Sequence, residues 1–152
     1  MALPEVRTMA TELIGQNLVL RQCHPVDLPA IPRDPEGAFF DPQVGLVLEP
    51  RYFAILLGAV AIGDCAIYNP TPTEVEFGIR IAANHRSKGY GAEAAKILSD
   101  YCLSVLGFSR VHLKVLPFNE RAIKSYEKAG FTRCGKIVVD AVEFVKMGRI
   151  RA

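Results

Sequence analysis

No run of like charges occurs in the 152 residues, and the net charge is only +2 with a pI near 8.4. A nucleic-acid footprint needs a clustered basic face, so that class of partner is set aside. The four cysteines, Cys23, Cys65, Cys102 and Cys134, contain no C-x-x-C pair. Their spacing fits neither a zinc site nor a disulfide framework, and reduced thiols acting as small hydrophobes are expected. His24, His85 and His112 are too scattered to form a ligand set, so no metal is expected. The longest apolar run, YFAILLGAVAI from residue 52, is too short to span a bilayer. The opening MALPEVRTMATELIG carries acids and lacks the apolar segment of a signal peptide. These absences predict a cytoplasmic protein with no membrane partner.

What is present is half hydrophobic and 22% charged, a composition that folds rather than stays disordered. The length suits one domain over residues 1–152. NLVLRQ, RYFAILLG and AIGDCAIY read as strands, the last two forming a hairpin around Gly58. EVEFGIRI is the clearest strand, with Val75, Phe77, Ile79 and Ile81 alternating against Glu74, Glu76, Gly78 and Arg80. After HRSKGYG the period becomes helical, with Tyr90, Ala94, Ile97, Leu98, Tyr101, Cys102 and Val105 on one stripe, ending near Gly107. SRVHLKVLP is a strand. NERAIKSYEKAGF is a second helix, capped by Asn119, carrying a Glu120–Lys124 pair and stopped at Gly130. TRCGKIVV and AVEFVKMGRI close the chain as strands. The order predicts an α/β (α+β) domain with one mixed, mostly antiparallel sheet of six to seven strands. Residues 25 to 50, with six of the ten prolines, read as loop with short helical turns.

HRSKGYGAE, residues 85 to 93, sets Gly89 and Gly91 directly before the long helix, with Arg86 and Lys88 just ahead. Glycines admit backbone close to a ligand, and a helix N-terminus presents unpaired N–H groups with partial positive charge. Together they make an anion cradle suited to a pyrophosphate. The Walker A spacing is absent. Gly89, Gly91 and Ala94 nearly meet the dinucleotide pattern G-x-G-x-x-A. That fold, however, turns at its glycines directly from the strand and needs an acid after the next strand, whereas no Asp or Glu lies between Asp100 and Glu120.

The remaining pattern is R-x-x-G-x-G at Arg86, Gly89 and Gly91. With EFGIRI before it and NERAIKSYEKAGF after it, the chain from about residue 17 onward resembles the GCN5-related N-acetyltransferases (GNAT), in the branch of ribosomal-protein N-terminal and spermidine acetyltransferases. The resemblance implies a central pair of strands that splay apart, helices on both faces of the sheet, and acetyl-CoA as acetyl donor. Its pyrophosphate would lie on the amides of Ser87, Lys88, Gly89, Tyr90, Gly91 and Ala92. Its pantetheine arm would pair with the strand holding Ile79 and Ile81, with Arg86 and Asn119 nearby.

Acetyl transfer needs an unprotonated amine, whose ordinary pKa is about 10.4 for a lysine-like group. A carboxylate or a water it holds must take that proton. Glu76 matches the position where many family members keep an acid, so it is the expected base, with Glu74 attracting a cation. Tyr126 matches the family's tyrosine near the CoA sulfur and would stabilise the leaving thiolate. Ser125 points elsewhere and is not expected to be a nucleophile. The family usually has two helices between its first two strands, where this chain has a short proline-rich interval. The acceptor stays open among a protein N-terminus, a polyamine and another small amine, and a homodimer is left open. Asp34, Glu36, Asp41 and Glu49 in or near that interval could draw a cationic amine. A non-catalytic acyl-CoA-binding module is the rival reading.

Overall fold

The computed structural model describes residues 12–23 and 51–151. The proline-rich interval, His24 and the four acids from Asp34 to Glu49 therefore lie outside the described residues. The strands are β1 (Glu12–Ile14), β2 (Val19–Cys23), β3 (Arg51–Leu57), β4 (Val60–Tyr68), β5 (Glu74–Ile81), β6 (Arg110–Val115), β7 (Thr132–Val139) and β8 (Val142–Ile150). The helices are α1 (Tyr90–Asp100) and α2 (Glu120–Lys128). All strands join one eight-stranded sheet in the order β1-β2-β3-β4-β5-β6-β8-β7. The count exceeds the expected six to seven because ELI, too short to show a period, pairs with β2 as an edge strand. Every pairing is antiparallel except β5 with β6. No helix among the described residues is long and apolar enough to cross a membrane.

Alternation on the strands sorts residues onto two faces. Phe53 and Ile55, Cys65 and Ile67, Val75 and Phe77, and Val111 and Leu113 join Leu98 of α1 and Ile123 of α2 in one core. Both described helices therefore pack on the same face, rather than one on each. The opposite face carries a small cluster of Tyr52, Ala66 and Tyr68, with the buried carboxylates of Asp64 and Glu76. The long helix does not run uniformly to Gly107. Past Asp100 it widens into a π segment over Tyr101–Val105, closed by Leu106 N–H donating to the Tyr101 carbonyl at 3.0 Å. The wider turn rotates the later residues off the helical stripe. Val105, expected in the core, is 64% exposed, whereas Leu103 is only 4% exposed.

Candidate functional site

β5 leads into the glycine loop through a short turn at Ala83–His85. Arg86 Nε donates to the Ile81 carbonyl at 2.8 Å, folding the loop back onto the strand it leaves. Ser87 and Gly89 both have positive φ, +62° and +88°. Gly89 is the N-cap of α1 and no side chain caps that end. Only glycine adopts such a φ without cost, whereas Ser87 holds its left-handed backbone under strain. Among the described residues nothing accepts a hydrogen bond from the N–H groups of residues 87–92. The helix start is instead anchored from its flank. Glu93 accepts from Asn17 N at 2.7 Å, Leu18 N at 2.9 Å and Asn17 Nδ2 at 2.9 Å.

β5 and β6 pair at only three positions, Glu74↔Arg110, Val75↔Val111 and Glu76↔His112. Beyond them the strands diverge, and a cavity of about 400 Å³ opens in the gap. Its walls are Phe77 to Ile81 on β5, Leu113 to Leu116 at the end of β6, the loop at Arg86, Ser87, Gly89, Gly91 and Ala92, and α2. A Cβ added at Gly91 would come no nearer than 3.8 Å to Ser125 Oγ, which is ordinary contact. The protein's own packing therefore does not demand glycine in this first helical turn, where it costs stability. Free amides, a glycine the fold does not require and a gap between strands together fit a diphosphate continued by an extended arm.

Ile79, Ile81, Arg86, Ser87, Gly89, Gly91, Ala92, Asn119 and Tyr126, singled out from the sequence, all line this one cavity. Asn119 Oδ1 accepts from Ala122 N at 3.2 Å, the expected cap. Tyr126 packs edge-on to Phe131 at 6.1 Å between ring centroids. Burial and the neighbouring Cys65, only partly offset by Arg121, push its hydroxyl up to about 12. Lys88 and Tyr90 are not among the lining side chains, and Tyr90 packs against the core.

Glu76 does not line the cavity either. It is 6% exposed on the opposite face. Lys114 Nζ donates to its Oε2 at 2.6 Å and Asn69 Nδ2 to its Oε1 at 3.3 Å, while His112 Nε2 stands 3.7 Å away. Burial alone would raise its pKa, but His112, Lys114 and Asn69 outweigh burial and hold it down to about 2. A carboxylate held so far down is a poor acceptor for an ammonium proton. The geometry thus counts against Glu76 as the base and makes it the anchor of Lys114. Glu74 is engaged likewise, with Oε2 2.7 Å from His112 Nδ1 and 3.6 Å from Lys146 Nζ.

The Glu76 environment has a consequence for stability. Its folded pKa is depressed, so the stabilisation is complete above its unfolded pKa near pH ~4.3 and is lost as pH falls toward 2, an effect on the order of 3 kcal/mol. Urea unfolding followed from pH 6 to pH 2 should show a steep loss for the wild type, and Glu76→Gln should flatten it. An unchanged slope in the variant would assign the acid sensitivity to other groups.

Sequence reasoning missed the cations of the cavity wall. Arg121, Lys124 and Lys128 of α2 line it, and their i, i+3, i+7 spacing was a readable stripe. The expected Glu120–Lys124 pair does not form, and Lys124 takes its place in the wall. Arg80 and Lys114 line the gap from its two strands. Burial lifts the carboxyl of Asp64, the partner of Arg80, above its usual range despite the pull of that guanidinium.

The family model for the acetyltransferase (GNAT) domain matches residues 32–132. Spermidine N(1)-acetyltransferase of Escherichia coli K12 is 36% identical over 70 residues, 46% of this chain and 38% of that enzyme. The counterpart from Vibrio cholerae is 33% identical over 63 residues, 41% of this chain and 36% of that enzyme. The match thus spans well under half the length of these curated relatives. Among solved structures, the aminoglycoside acetyltransferase AAC(6')-Ib in complex with acetyl-CoA superimposes with a TM-score of 0.62 at 23% identity, covering 67% of this chain and 65% of that one. Mycobacterium smegmatis RimJ in complex with CoA-disulfide gives a TM-score of 0.60 at 18% identity, covering 66% and 53%. At such identities these structures establish a shared fold.

Proposed function

The chain belongs to the acetyltransferase (GNAT) domain family, and from that premise we propose that it transfers the acetyl group of acetyl-CoA directly to a primary amine. The observation that carries the reading is the coincidence of the unpaired amides of residues 87–92 with the mouth of the β5–β6 gap. Bound acetyl-CoA would supply an activated thioester. The amides of residues 87–92 would hold the diphosphate, and the α2 cations Lys124 and Lys128 would neutralise further phosphate charge. The arm would pair with the free edge of β5 near Ile79, because the Ile81 carbonyl is already taken by Arg86.

Tyr126 is the group proposed to meet the leaving sulfur. With its hydroxyl held up to about 12 it stays protonated at neutral pH and acts as a donor. The described wall contains no Asp or Glu, so the amine's proton leaves through water rather than to a side chain in direct contact. The cations Arg80 and Lys114 assist by disfavouring the protonated amine, since like charges lower an amine's pKa.

A thiol-trapping dye tests the reading. The protein mixed with acetyl-CoA and a panel of primary amines should release CoA thiol in step with acetylated amine. Tight binding of acetyl-CoA with no amine turned over would replace this reading with that of a non-catalytic acyl-CoA-binding module.

A further inference from the structure

We propose that the acceptor is an amine carrying a carboxylate close to its reacting nitrogen, either a free amino acid or an acidic peptide N-terminus, and that Arg80 and Lys114 read that carboxylate. The proposal rests on the acetyl-transfer reading and specifies its acceptor, in the direction opposite to the polycation named by the curated relatives.

The charge of the wall motivates it. Arg80 and Lys114 stand on the two strands that diverge, at alternation positions facing away from the core shared by α1 and α2, yet both line the cavity. The donor's cradle is on the helix side, so an acceptor meeting the thioester from the other side passes these two cations. Their counter-charges stand behind the wall: Asp64 and Glu76 are 1% and 6% exposed and neither lines the cavity.

Arg80 spends only Nη2 on Asp64, at 2.7 Å, and its Nη1 has no hydrogen-bond partner among the described residues. A guanidinium with a spare donor is suited to a planar carboxylate. Lys114 Nζ, 2.6 Å from Glu76 and 5.8 Å from the centroid of the Tyr68 ring, supplies a second charge beside an aromatic wall. The same arrangement repels a polyamine, which brings additional positive charge to a wall with no described acid to receive it. For the peptide terminus the chemistry also fits, because its α-amine, with an ordinary pKa of about 8, is far less protonated at neutral pH than a lysine-like amine near ~10.4.

The test compares aspartate, a peptide with an acidic second residue, glycinamide and spermidine as acceptors for the intact protein with saturating acetyl-CoA. The carboxylate-bearing amines should show kcat/KM at least roughly tenfold above glycinamide, through KM, with spermidine lowest. Aspartate and the peptide tell a free amino acid from a chain terminus. Arg80→Gln and Lys114→Gln, each checked by circular dichroism, should shrink the carboxylate-to-glycinamide ratio toward one. Spermidine matching or exceeding aspartate and the peptide, or an unchanged ratio in a folded variant, overturns the proposal. Titrating the same compounds into the CoA-bound protein separates the two levels. If nothing turns over, the transfer reading fails, while carboxylate-selective binding lost in Arg80→Gln still supports this site and indiscriminate binding refutes it.

Discussion

Gly91→Ala should stabilise the free protein while weakening its affinity for CoA by about two orders of magnitude. The two effects come from different surroundings of the same added methyl. Toward the protein, the new Cβ meets only Ser125 Oγ at 3.8 Å and Ile81 Cγ1 at 4.0 Å, so nothing clashes and the helix gains about 0.5–1 kcal/mol from losing a flexible residue. Toward the cavity, the methyl stands in the first turn of α1, among the amides that have no acceptor within the described residues. A phosphate kept from close approach forfeits one or two charge-assisted hydrogen bonds, each about 1.5–3 kcal/mol, which is a loss of tenfold to a hundredfold or more. Thermal melts of the free protein and calorimetric titration with CoA read the two effects separately. A higher melting temperature with unchanged CoA affinity would move the diphosphate elsewhere. By contrast, Gly89→Ala should cost stability even in the free protein, since residue 89 has φ +88°. The two glycines of one motif thus serve different ends.

Much of the fold is legible in the chain. Alternation in EVEFGIRI places β5 and sorts its faces, and Asn119 announces the start of α2 with the side-chain bond that the structure contains. The glycine loop shows in advance where amides are left bare. What escapes the sequence depends on relations that a linear pattern does not carry. The π segment at Tyr101–Val105 leaves the composition of the helix unchanged and alters only its phase, so the helical stripe misplaces Val105 in the core. The three-residue β1 is too short to show a period, and the turn after it is held by Glu93, far along the chain. Glu76 reads as a base because it matches the position where many members of the resembled family keep an acid. Asn69 reaches it from the turn between β4 and β5, but Lys114 and His112 meet it only through the pairing of β5 with β6, which no local signal specifies. The cationic wall is half legible. The α2 stripe is there to be counted, but the meeting of Arg80 and Lys114 across a gap emerges only once those strands are known to part.

Tyr126→Phe should lower kcat by roughly tenfold to a hundredfold with little change in KM for either substrate, because the hydroxyl acts only as charge builds on the leaving sulfur. The substitution is conservative for the fold. The ring's edge-on contact with Phe131 at 6.1 Å is kept, so the melting temperature should barely move. The magnitude reflects what the hydroxyl can do. A thiolate resembling that of cysteine has a pKa of about 8.5, and the Tyr126 hydroxyl is held up to about 12. Full proton transfer would then be uphill by about 3.5 units, near 5 kcal/mol, so Tyr126 donates a hydrogen bond and keeps its proton. The pH profile gives an independent reading. Since burial raises the hydroxyl's pKa, the donating form persists through the whole physiological range, and its ionisation should impose no fall in kcat below about pH 11. Wild type and Tyr126→Phe should therefore have parallel profiles, displaced by a constant factor. A wild-type downturn near pH 8 that disappears in the variant would mean that Tyr126 gives up its proton during turnover, and an unchanged kcat would remove it from the chemistry.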